Sequence, residues 1–87
     1  MLTNQQVAGL VERLNRGRYE EVIAEAGRLI KQYPRVAGLH ELLGTAHARV
    51  GNQDRAEKSL RRALKLMPGL QSALFNLGGL YLSLIHI

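Results

Sequence analysis

A chain of 87 residues, 46% of them apolar, is bounded at one small domain, near the size at which a single core is only marginally stabilising. The absence of cysteine excludes disulfides and thiolate metal sites. Twelve basic residues against seven acidic ones give a formal charge of +5, which permits contact with nucleic acid or anionic lipid and specifies neither.

The opening residues Met1-Leu2-Thr3-Asn4-Gln5-Gln6 carry neither the basic nor the apolar region of an export signal, so a cytoplasmic location is expected. A first helix begins at Thr3, with Gln6 three residues on in a capping-box arrangement. Val7, Leu10, Val11 and Leu14 then recur at helical spacing and predict a buried stripe. Gly17 ends that helix. A second is predicted from about Tyr19 to Gln32, with Val22, Ile23, Ala26, Leu29 and Ile30 inward, and Pro34 stops it because proline cannot extend the hydrogen-bond ladder. The third, from about Ala37 to Val50, carries Leu39, Leu42, Leu43, Ala46 and Val50 and ends at Gly51. Asp54 and Glu57 suggest a second capping box at the start of the fourth helix, which should bury Ala56, Leu60, Ala63 and Leu64 before Pro68-Gly69. A fifth helix opens near Gln71. The run from Leu70 to Ile87 is apolar, but Gln71 and Asn76 interrupt it, and a buried amphipathic helix accounts for Leu70 to Tyr81.

These elements repeat. Pro34 and Pro68 lie 34 residues apart, Gly17 returns as Gly51, and Leu43-Gly44 returns as Leu77-Gly78. A helix-turn-helix period of 34 resembles the tetratricopeptide repeat family, and the second unit carries its pattern best: Leu43-Gly44, Ala56, Leu60, Ala63 and Pro68. Asn76-Leu77-Gly78 and Tyr81 fit in the third unit. The first unit fits through Tyr19-Glu20-Glu21-Val22 and Pro34 but inverts Leu-Gly as Gly9-Leu10. The expectation is an all-α solenoid of about two and a half repeats, with units 3–36 and 37–70 and a partial unit 71–81. Since each repeat buries its apolar face against its neighbours, so short an array should be weakly stable. Residues 82–87, Leu-Ser-Leu-Ile-His-Ile, look like a translated transposon mosaic end of the kind used in sequencing libraries, so they are set aside as a non-native tail and the chain is expected to be a fragment.

No catalytic set is expected in this segment. Asp54 is read as a cap, Ser59 and Ser72 lack a base partner, and neither a phosphate loop nor a nucleophile elbow occurs. His40-Glu41 begins like a zinc-protease motif, but His40 and His47 are separated by about 10.5 Å along a helix axis, too far for paired ligands of one zinc. Both occupy places where the repeat family puts aromatics, and packing between helices is expected of them. No metal or cofactor is expected. Arg55, Lys58, Arg62 and Lys65 share one face of the fourth helix with Arg61 beside them; without interleaved aromatics the face reads as solvated surface rather than a nucleic-acid footprint.

The resemblance implies a protein-interaction module. The first helix of each unit would line a concave groove that receives a peptide or partner helix, with Asn4, Val7, Val11, Glu41, Thr45, Arg49, Phe75 and Asn76 as candidate contacts, and Ala8, Leu42, Ser72 and Gly79 beside them. Val7 and Val11 stand where some members have a lysine-asparagine carboxylate clamp, so no clamp is expected. Asn76 occupies the place of a backbone-binding asparagine found in the repeats of O-linked N-acetylglucosamine transferases, but Leu42 and Ala8 fill the preceding rungs. The second reading is an N-terminal, substrate-recruiting array of a larger bacterial sulfotransferase or glycosyltransferase, with the chemistry downstream.

Overall fold

A computed structural model of the chain describes residues 1–70, and the fifth helix, Phe75, Asn76 and the 82–87 tail lie outside the described residues. Four α-helices follow one another: α1 (Asn4–Asn15), α2 (Tyr19–Gln32), α3 (Ala37–Arg49) and α4 (Gln53–Leu66). Thr3 starts α1 as its capping box requires, its Oγ1 accepting the Gln6 N–H at 3.2 Å while its own N–H donates to Gln6 Oε1 at 2.9 Å.

The backbone repeats every 34 residues more closely than the side chains do. After α1, Gly17 takes φ +78° and donates to Leu14 O at 3.1 Å, while Arg18 N–H reaches Arg13 O at 2.9 Å. After α3, Gly51 takes φ +84° and donates to Ala48 O at 3.2 Å, while Asn52 N–H reaches His47 O at 2.8 Å. Each is a Schellman turn, whose left-handed residue is glycine because a Cβ there meets the following carbonyl. The ends of α2 and α4 match as well. Tyr33 and Met67, each directly before a proline, leave the helix in similar non-helical conformations while donating to Leu29 O and Ala63 O at 2.8 and 2.9 Å.

The Schellman turn also corrects the reading of α4. Asp54 and Glu57 form no capping box; the chain leaves Gly51 already directed into the helix, Asn52 takes the N-cap position without a side-chain bond, and Asp54 falls in the first turn. There its charge still meets the positive end of the helix dipole.

Helix α3 is the hub. It packs against α1, α2 and α4, whereas α4 touches neither α1 nor α2. A helix enclosed on several sides must be apolar or small nearly all round, and α3 buries Ala37, Leu39, Leu42, Gly44, Ala46 and His47. One core cluster joins Leu10, Val22, Ala26, Leu29, Leu39, Leu42 and Ala46; a second, of Ala56, Leu60 and Ala63, sits under α4. Val11 and Val50 depart from expectation, at 39% and 45% exposed. Val11 is turned about 100° from the fully buried Leu10. Val50 is the C-cap residue, past the last packed turn of α3.

Gly44 sets the closest approach between helices. A Cβ built on it would lie 2.7 Å from Leu60 Cγ and 3.1 Å from Ala56 O, so α3 and α4 can meet at this distance only with hydrogen there. The residue 34 positions earlier is Leu10, and the one 34 before Leu60 is Ala26, both fully buried. The first hairpin thus fills with a leucine from α1 and an alanine from α2 the volume that the second fills with a glycine from α3 and a leucine from α4.

Candidate interaction surfaces

The candidate groove residues of α1 and α3 occupy equivalent registers on helices that pack side by side: Val7 with Glu41, and Val11 with Thr45. Asn4, Val11 and Arg49 are exposed, while Val7, Glu41 and Thr45 are half-buried. Val7 packs against the first core cluster. Leu42, expected beside them, is buried among the core side chains and is not available to a partner. Glu41 is the chemically distinctive member. Its Oε2 is buried and has no hydrogen-bond partner among the described residues, a costly condition for a carboxylate oxygen.

The two histidines separate in role. His40 is half-buried, and its Nε2 lies 2.9 Å from the Pro34 carbonyl oxygen; Nε2 must be the donor, which fixes the ring against the turn between α2 and α3. His47 is buried and its Nδ1 has no hydrogen-bond partner among the described residues. Burial pushes its imidazole below the ordinary pKa of 6.5, and the nearby Arg55 cation pushes the same way. No group of three or more potential metal-ligating side chains occurs among the described residues.

Charge is distributed unevenly. Two of the three acids of α2 engage cations of the first hairpin: Glu25 holds Arg28 through two bonds of 2.9 and 2.8 Å, and Glu21 lies 3.7 Å from Arg18 and 3.9 Å from Arg13. In α4, five basic residues (Arg55, Lys58, Arg61, Arg62, Lys65) stand against Asp54 and Glu57, and only Arg61 has an acidic partner, Glu57 at 3.4 Å. Arg55, Lys58, Arg62 and Lys65 have none among the described residues. Lys58, Arg61, Arg62 and Lys65, spaced i, i+3, i+4, i+7, line one shallow concavity with Ser59 and the His40 ring. The spacing of the cations was plain in the sequence. That His40 joins them from another helix, and that the acids are engaged elsewhere, depends on the hairpin packing.

Stacked hairpins with a glycine-tight contact, presenting two chemically different faces, define an all-α helical-repeat domain. The chain belongs to the bacterial transcriptional activator domain family, whose sequence model matches residues 3–69. No curated protein matches the chain. The family's description connects the segment with transcription activation and gives no support to excluding nucleic acid as a partner. Among the described residues, no helix is long and apolar enough to cross a membrane.

Proposed function

We propose that this chain is the partner-binding domain of a bacterial transcription activator, built from tetratricopeptide-type units 3–36 and 37–70 with a third beginning at 71. The wall formed by α1 and α3 takes an extended peptide or a helix of a partner protein. Asn4, Val11 and Arg49 supply its accessible contacts, Val7, Glu41 and Thr45 its floor, and Phe75 and Asn76 its continuation. On the α3 side the mechanism is passive: α3, already held against α4 by the Gly44 contact, loses little entropy on binding.

The observation that carries this reading is the unpartnered Glu41 Oε2 within the wall. That oxygen is enclosed, so a partner lysine would pair with the other oxygen of the half-buried carboxylate in a charge-assisted hydrogen bond, and the preferred peptide should be basic. The family's setting in transcription favours this over the substrate-recruiting array of a sulfotransferase or glycosyltransferase. The test is an array of immobilised random peptides probed with the labelled chain, followed by amide-shift mapping of the best binder. Lysine-containing peptides should be retained, Glu41→Gln should weaken them about tenfold or more, and shifts should cluster at Asn4, Val11, Glu41, Thr45 and Arg49. Shifts confined to α2 and α4 would move the site elsewhere.

A further inference from the structure

We propose that the outer face of α4 is a second, separate docking surface, for the phosphate backbone of duplex DNA. It rests on no part of the peptide-wall reading. Every exposed position of α4 is charged: Asp54, Arg55, Lys58, Arg61, Arg62 and Lys65. The four cations without an acidic partner among the described residues run from Arg55 to Lys65, and residues 71–87 contain no Asp or Glu that could neutralise them. This stretch covers about 15 Å of helix axis at 1.5 Å per residue, a length over which a duplex carries on the order of nine phosphate charges. Cations held near one another without counter-charge repel, and an anionic surface relieves that repulsion by releasing its own counterions.

The composition of the face selects among anionic partners. A protein partner of useful affinity is anchored by buried aromatic or aliphatic side chains, and this face offers none at an exposed position. Single-stranded nucleic acid is held largely by stacking on aromatics, and no Phe, Tyr or Trp stands at an exposed position of α4. What remains, guanidinium and ammonium groups with the Ser59 hydroxyl at the edge of the concavity, is the set that contacts phosphate oxygens and fixes position without reading sequence. The His40 ring, tied to the Pro34 carbonyl, forms a rigid part of the same concavity. The face therefore supplies affinity independent of base sequence.

The experiment is fluorescence anisotropy of the full chain with a labelled random-sequence duplex of about 20 base pairs, repeated between 50 and 200 mM salt. Four phosphate contacts predict a slope of log K against log salt near −3.6, or about a hundredfold loss over that range. The variant Lys58→Gln/Arg62→Gln/Lys65→Gln removes three of them, and its slope should fall to about −0.9 with at least tenfold weaker binding at 50 mM. Its three positions are exposed, and circular dichroism should show unchanged helicity. A control variant with the same loss of charge on the first hairpin, Arg16→Gln/Arg28→Gln/Lys31→Gln, should keep both slope and affinity. Equal weakening in the control would overturn the assignment, as would full binding by the α4 variant, a flat salt dependence, or tighter binding of poly-glutamate than of the duplex.

Discussion

At Gly44 a single hydrogen atom decides how two helices meet. Gly44→Leu would drive a side chain into Leu60, and overpacking of this kind costs about 1–3 kcal/mol, a large share of the stability of a small domain. The first hairpin already contains the remedy, with Leu10 and Ala26 in the equivalent positions. Gly44→Leu should lower the midpoint of chemical unfolding strongly, and adding Leu60→Ala should recover at least half of the loss, giving a favourable coupling in the double-mutant cycle. Simple additivity of the two changes would mean that the hairpins do not share this packing. His47 gives a second test. Its folded pKa lies below 6.5, so as pH falls the unfolded chain takes up the proton first; its burial costs no stability above about pH 6.5, and stability is lost progressively as pH drops below that value. Unfolding midpoints measured from pH 7 to pH 5 should fall more steeply in the native chain than in His47→Gln. Parallel profiles would show that the imidazole is reached by water.

Among the elements, the helix ends separate what sequence reasoning can reach from what it cannot. Helix positions followed from apolar spacing, and Pro34, Pro68, Gly17 and Gly51 marked stops that the structure places within a residue, because each acts through its own backbone geometry. The start of α4 differs from expectation because Asp54 and Glu57 fit a local motif, while the Schellman turn at Gly51 sets the cap two residues earlier, at Asn52. The exposure of Val11 and the burial of Leu42 depended on which neighbours α1 and α3 acquire, and the spacing within one helix carries no such information. The glycines yield opposite predictions at this scale. Gly51→Ala should destabilise by about 1–2 kcal/mol, since alanine disfavours φ +84°. Gly9→Ala and Gly27→Ala, in mid-helix with open space around the added methyl, should stabilise by about 0.5–1 kcal/mol. Thermal melts of the three variants check both signs, and a stabilised Gly51→Ala would remove the turn from the account.

For the whole molecule, the hub arrangement determines where stability resides. In a stacked helical array each element is held by its immediate neighbours, so protection from solvent should follow the number of helices that enclose it. Helix α3 is enclosed by three, with Leu39, Leu42 and Ala46 in the main core, whereas α1 rests on α2 and α3 through little more than Leu10 and the half-buried Leu2, Val7 and Leu14. At Gly9 a methyl group would meet no atom within 4 Å, in contrast to Gly44, so α1 makes no glycine-tight contact of the kind that joins α3 to α4. Opening of α1 alone exposes one large fully buried side chain; opening of α3 dissolves both hairpins. Native-state hydrogen exchange should therefore find the amides from Leu42 to Ala46 the most protected, with free energies at the global value, and those of α1 exchanging through a smaller opening. A basic peptide that occupies the proposed wall touches both helices and should raise the protection of α1 more than that of α3, because only α1 has an opening to suppress below the global one. Equal protection of α1 and α3 in the free chain would contradict the hub arrangement and would require α1 and α2 to form a contact as tight as the one at Gly44.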